Sequence, residues 1–393
     1  MECGSGGAIY VDGMVETMVV SGGSSIASNS AVGGGGAIYL GESVIRFTLD
    51  GNSTLAGNRV DGGSGGAVFI KSGVVRISVK GGSAITENIA RNDGGAIYMN
   101  FYVSNFIVDG SSVISGNRAT GGSGGAVAVR DNLFDIVVKG GSVIANNTAR
   151  YDGGAIFLRS GVSNLTIDGS SVISGNRATG GSGGAIFVGS TAGSITLNGN
   201  STVAGNRADG GSGGAIFIHF NVVSFEVKGG AVITNNSANN DGGAIYMNFY
   251  VSSFTVDGSS VISGNRATGG SGGAMYVNST VSVFTVDGNS TVAGNRADGG
   301  SGGAIAVLNT VDSLAVKGGS AIVQNAASKD GGAIYVYSSV KVLAIDGNST
   351  VYGNRATGGS GGAIAIWYGS VGLISVTGSS AVTNNTANYD GSF

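Results

Sequence analysis

Apolar and polar residues along this chain fall into short alternating bursts, and the bursts return every 29 or 30 residues. The triplet Gly-Gly-Ala marks each return. Its alanines are Ala8, Ala37, Ala67, Ala96, Ala126, Ala155, Ala185, Ala215, Ala244, Ala274, Ala304, Ala333 and Ala363. With that alanine as position 0, positions 1 and 3 are aliphatic or Met, as in Ile9 and Val11 or Val68 and Ile70. Such alternation predicts a strand with one buried face. Position 7 is nearly always Val (Val44, Val74, Val251, Val311), and positions 10 and 12 form a second alternating pair, as in Phe47-Thr48-Leu49 and Phe225-Glu226-Val227. A turn such as Asp-Gly-Asn-Ser or Lys-Gly-Gly-Ser follows. Position 18, always Ile, Leu or Val (one residue later in the last coil), marks a third strand. Helical periodicity is absent.

A period near 30 residues, held from end to end, belongs to stacked units that bury a continuous core together. Three short strands per coil predict an all-β, parallel β-helix (a β-solenoid) of about 13 coils, with residues 1–393 as a single domain. Each strand would pair with its counterpart one coil away, about 4.8 Å distant, giving a rod about 60 Å long. Variable coil length favours the right-handed form.

Position 21 is the most uniform polar column. It holds Asn29, Asn58, Asn88, Asn117, Asn147, Asn176, Asn206, Asn236, Asn265, Asn295, Asn325 and Asn354, with Asn385 in the last coil, which carries one extra residue. Asparagine tolerates left-handed backbone angles, and its amide can bond the asparagines above and below in a stack. The column therefore reads as a structural ladder rather than a catalytic set.

Composition narrows the class. Glycine accounts for 77 residues and proline for none, so collagen is excluded. At 41% apolar residues in fixed columns the chain can bury a core, which excludes disorder. Charged residues are 11% and the net charge is −3, a poor basis for nucleic-acid binding. No stretch of 18 apolar residues predicts membrane insertion. Cys3 stands alone, so no disulfide framework forms within the chain, and it reads as a plain terminal residue.

The same columns resemble a known family. Gly-Gly-Ala-Ile, as at Gly243-Ala244-Ile245, is paired with a four-residue motif ending in Asn, as in Ile262-Ser263-Gly264-Asn265. This is similar to the repeats of chlamydial polymorphic outer-membrane proteins, with Ile, Leu or Val where that family has Phe. The resemblance runs along the whole chain. It implies a surface-exposed passenger domain with an adhesive role.

Two further columns bear on partners. Position 13 alternates in sign (Asp50, Lys80, Asp109, Lys139, Asp168), so neighbouring coils attract and register is protected. Position 2 is aromatic in ten coils: Tyr10, Tyr39, Phe69, Tyr98, Phe157, Phe187, Phe217, Tyr246, Tyr276 and Tyr335. Lying between two inward residues, these rings should face outward as a surface stripe, suited to glycans, a host or cell surface, or a neighbouring fibre. The alternative is ring stacking that only stabilises the sheet, or a register that puts the rings inside. Seven Asn-Arg pairs, such as Asn58-Arg59, read as a solvated face.

No catalytic, cofactor-binding or metal-binding residues emerge. The Gly-Gly-Ser-Gly-Gly loops lack the Lys-Ser/Thr of a phosphate loop and the aspartate of a calcium repeat. The lone histidine, His219, reads as a turn residue. The chain opens on Gly6-Gly7-Ala8 and stops at Asn388-Tyr389-Asp390-Gly391, so the two ends look complementary. The leading expectation is a non-enzymatic structural or adhesive solenoid, extracellular or at the cell surface. It would assemble with itself head to tail or laterally. A passenger fragment of a surface adhesin is the alternative. A polysaccharide-active enzyme and an ice-binding protein rank lower.

Overall fold

A computed structural model describes residues 4–388; Cys3 and Tyr389, Asp390 and Gly391 lie outside them. The described residues form a parallel β-solenoid with no helix. They fall into two units, one of residues up to 191 with 207–209, the other of 192–206 and from 210 onward.

Each coil has four strands, not three. In the coil that starts at Ala37 they are Ile38–Leu40, Val44–Leu49, Thr54–Ala56 and Arg59–Val60. The second strand is longer than expected, because position 7 belongs to it. The fourth has only two residues, too short to show a period. Its inward residue is small, Val60 here and alanine in the other coils that bury it, so its apolar signal is weak.

In the first unit each strand pairs in parallel with its equivalent one coil on. Ile9 lies beside Ile38, Met18 beside Phe47, Ile26 beside Leu55 and Ala31 beside Val60. The second unit repeats the rule with Ile216 beside Ile245, Phe225 beside Phe254, Val232 beside Val261 and Ala238 beside Ala267. In-register pairing puts identical side chains over one another, which fills the core without gaps. Val44, Phe47, Leu49 and Leu55 are all within 1% of full burial. In the second unit Phe225, Phe254 and Phe284 stack inside the coil at 5.0 and 5.3 Å.

The Gly-Gly-Ala corner has a separate reason for each residue. The first glycine adopts a left-handed backbone, φ 61° at Gly35 and 70° at Gly65. The second sits against the next coil: a Cβ on Gly36 would lie 2.1 Å from the Gly66 carbonyl oxygen and 2.6 Å from that of Arg59. The alanine is fully buried, as Ala37 and Ala67 are, and points its single methyl into the corner.

Candidate binding face

Within each unit the asparagine column is a hydrogen-bond ladder through the buried corner before the fourth strand. Asn88 donates from its backbone N–H and from Nδ2 to Oδ1 of Asn117, both at 3.0 Å. Its Nδ2 also donates to the Leu55 carbonyl of the preceding coil at 3.0 Å. Each interior asparagine thus uses both amide protons and accepts twice, which fully satisfies a side chain that is 0% exposed. Asn147 and Asn265 repeat the pattern. Asn29 and Asn385, in the outermost described coils, are half-buried.

One expectation about this column is corrected. The left-handed residue is the one before the asparagine: Ser28 (φ 58°), Glu87 (57°) and Asn146 (56°). No ladder asparagine has positive φ among the described residues. Asparagine is selected for its amide, not for backbone tolerance.

Two more ladders escaped the sequence reading. Buried serines at position 16 form one, with the Ser53 N–H donating to Ser83 Oγ at 3.2 Å and that of Ser290 to Ser320 Oγ at 3.1 Å. Serine and aspartate three residues before the alanine form the other, with opposite polarity. The Ser123 N–H donates to Asp93 Oδ1 at 2.8 Å, and the Asp152 N–H to Ser123 Oγ at 3.3 Å. Burial pushes the Asp152 and Asp241 carboxyls up from their ordinary range, while the N–H of Ser182 and of Ser271 pull the other way.

The charge column stacks as its signs require. Lys80 reaches Asp50 at 3.1 Å, Lys139 reaches Asp109 at 3.5 Å and Lys317 reaches Asp287 at 3.2 Å. Asp50 uses its other oxygen to accept the Gly51 N–H at 2.8 Å, which fixes the turn. Lys228 instead pairs with Glu226. The arginine column is exposed and threaded with carboxylates: Arg59 with Asp61, Arg177 and Arg207 with Asp209, Arg266 and Arg296 with Asp298.

The position-2 rings point away from the coil interior and stack along the strand direction of pairing. Tyr10, Tyr39, Phe69 and Tyr98 follow at 5.0, 5.3 and 5.1 Å. Phe157 stacks on Phe187 at 5.4 Å, and in the second unit Phe217, Tyr246 and Tyr276 follow at 4.8 and 5.1 Å. They do not form an open stripe. Only Tyr10 is exposed; Tyr39, Phe69, Tyr98, Phe157, Phe187, Phe217 and Tyr246 are half-buried, and Tyr276 and Tyr335 are buried. Rings above and below cover the faces, and glycine-rich loop backbone closes against the edges. A Cβ on Gly34 would lie 3.0 Å from the Phe69 ring. Burial, reinforced by the Asp241 carboxylate, pushes the Tyr246 phenol up to about 12.

Most of the other aromatics that face solvent sit in the turn between the first and second strands: Phe101 and Tyr102 in the first unit, and Phe220, Phe249, Tyr250, Tyr337, Trp367 and Tyr368 in the second. Phe134 and Tyr352, on strands, and Tyr151, after a fourth strand, are exposed elsewhere in the coil. Phe220 and Phe249 stack at 5.2 Å with exposed His219 edge-on to both. The repeated Asn-Phe-Tyr at 100–102 and 248–250 was their signal, but it has no periodicity to catch the eye. No cluster of three or more metal-ligating side chains occurs among the described residues.

Residues 230–248 match the family model of the Chlamydia polymorphic membrane protein repeat. That stretch and the parallel solenoid around it are similar to a repeat of the polymorphic-membrane-protein type. The matched stretch starts at the turn before a third strand, passes ladder residue Asn236 and ends just beyond the next Gly-Gly-Ala strand. The polymorphic-membrane-protein repeat thus spans the two corners that the asparagine and glycine columns build. No curated protein and no solved structure gives a significant match.

Proposed function

We propose that this chain is a non-enzymatic, surface-displayed solenoid of passenger type that contacts host or glycan surfaces through its exposed aromatic turns. The observation that carries the reading is the polymorphic-membrane-protein repeat at 230–248, set in a coil whose columns recur along the chain. A family named for membrane proteins makes a surface or outer-membrane location the natural one. Phe220, Phe249 and Tyr250 supply amphipathic, low-entropy contact area of the kind used in recognition.

The finer part of the proposal is head-to-tail assembly. Coils of one design pair in register within each unit, so a coil of one copy is complementary to a coil of another. Binding of the purified chain to a glycan array and to cultured epithelial cells tests adhesion. Retention lost on Phe220→Ser/Phe249→Ser/Tyr250→Ser is expected; equal retention refutes the adhesive role. Electron microscopy over rising concentration tests assembly, with growing filaments expected and invariant short particles counting against it.

A further inference from the structure

The ring column of the first unit has one break. Ala128 lies in register between Tyr98 and Phe157. Tyr98 is stacked on its far side by Phe69, and Phe157 by Phe187. Their facing sides look across Ala128 at each other. Two coil spacings separate the strands, about 9.6 Å. A flat ring placed midway would sit about 4.8 Å from each neighbour, which is the spacing of the protein's own stacks, 4.8 to 5.4 Å.

The gap is a real cavity. It measures about 170 Å³ and is lined by Tyr98, Ala128, Phe157, Asp93, Arg130 and Arg159, among others. A cavity of about 150 Å³ with apolar walls is enough to take benzene. Its rim carries two exposed guanidinium groups from successive coils, Arg130 and Arg159. Arg130 bonds the neutral Asn100 oxygen at 3.3 Å. Asp93, the acidic wall residue, already accepts the Ser123 N–H. Both arginines act on Tyr98, opposing the rise that burial and Asp93 impose on its phenol.

The second unit shows that an alanine in this column does not by itself make a slot. Ala306 lies between Tyr276 and Tyr335, yet those rings are buried in one apolar cluster with Ala306 and Ala365, and Leu308 packs against it. Leu308 occupies position 4 of its coil, where Arg130 stands in the first unit. An apolar residue closes the break there; a charged one leaves it open here.

We propose that the break at Ala128 is a binding slot for a planar aromatic carboxylate. The ring takes the place of the absent side chain between Tyr98 and Phe157, and the carboxylate faces Arg130 and Arg159. Ring stacking and a paired arginine fork are complementary to a flat anion. The inference is independent of surface adhesion and assembly.

Titration calorimetry and ligand-observed NMR with the full chain test it, using benzoate, neutral benzamide and non-planar cyclohexanecarboxylate. Benzoate is expected to bind at least fivefold more tightly than either analogue. Ala128→Phe, which continues the column with an aromatic ring as in ten other coils, is expected to weaken benzoate at least tenfold; Ala128→Leu fills the slot if the first variant folds poorly. Arg130→Gln/Arg159→Gln should erase the preference for benzoate over benzamide. Absence of benzoate binding, equal binding of the three probes, or benzoate binding untouched in a folded Ala128 variant would overturn the proposal.

Discussion

Asn58 is joined to Asn88 twice: its backbone N–H and its Nδ2 both donate at 3.0 Å to the one Oδ1 of Asn88. A third bond carries Nδ2 back to the Ile26 carbonyl at 3.0 Å. One amide thereby ties three coils together in a corner that water does not reach. This arrangement explains why the column admits no other residue: serine lacks the second donor, and aspartate lacks both donors and brings a buried charge.

Removing a rung exposes that dependence. Asn117→Ala leaves the Asn88 N–H and Nδ2, the Ile85 carbonyl and the Asn147 oxygen short of partners. The expected loss is about 1–3 kcal/mol in urea unfolding, the usual cost of an unsatisfied buried group. Asn117→Asp should cost more at neutral pH than Asn117→Ala. Asn206→Ala, in the other unit, should behave as Asn117→Ala does, because Asn206 bonds Asn236 in the same way.

The glycines divide into two classes that a substitution series separates. Gly36→Ala drives a methyl into the Gly66 carbonyl and is expected to cost several-fold more stability than Gly57→Asn. Gly57 has φ 61° and only Ser28 Oγ, 3.8 Å away, near its missing Cβ. Other coils place Ser28, Glu87 or Asn146 at that position. Comparable thermal midpoints for the two variants would contradict the close-approach account.

How much of this was legible in the sequence varies by column. Repetition with a long period is a strong signal, so the solenoid, the glycine corner and the asparagine ladder could all be read directly. The fourth strand could not, because two residues ending in Ala119 or Ala178 carry neither alternation nor much hydrophobicity. The serine and serine–aspartate ladders were hidden in turns that look like ordinary polar loops. Exposure of the rings was misjudged because alternation along one strand says which face a side chain leaves from, not what covers that face. Neighbouring rings and the loop at Gly34 cover it. The slot at Ala128 needed the register of three strands together with the identity of Arg130.

Stability should depend on pH through the buried aspartates. Burial holds Asp152 above its usual carboxylate value of 3.8. A group whose value is raised on folding contributes stability that is full below its unfolded value and lost as pH rises through the folded one. At pH 7 the charged Asp152 therefore weakens the fold relative to a neutral isostere that can still accept the Ser182 N–H. Asp152→Asn is expected to be more stable than the parent at pH 7, with the gap closing as the pH falls below about 4. Chemical denaturation at several pH values checks this; a gap that widens on acidification refutes it.

The central claim is that equivalent residues stack coil upon coil in strict register. Double electron–electron resonance measures this in solution, on a Cys3→Ser background with spin labels at Arg46→Cys and Asn164→Cys. These positions are linked through Arg76, Asn105 and Asp135 in consecutive strand pairs. Four coil spacings predict a narrow distance distribution centred near about 19 Å, widened only by the label arms. A broad distribution, or a centre far from that value, would contradict in-register stacking.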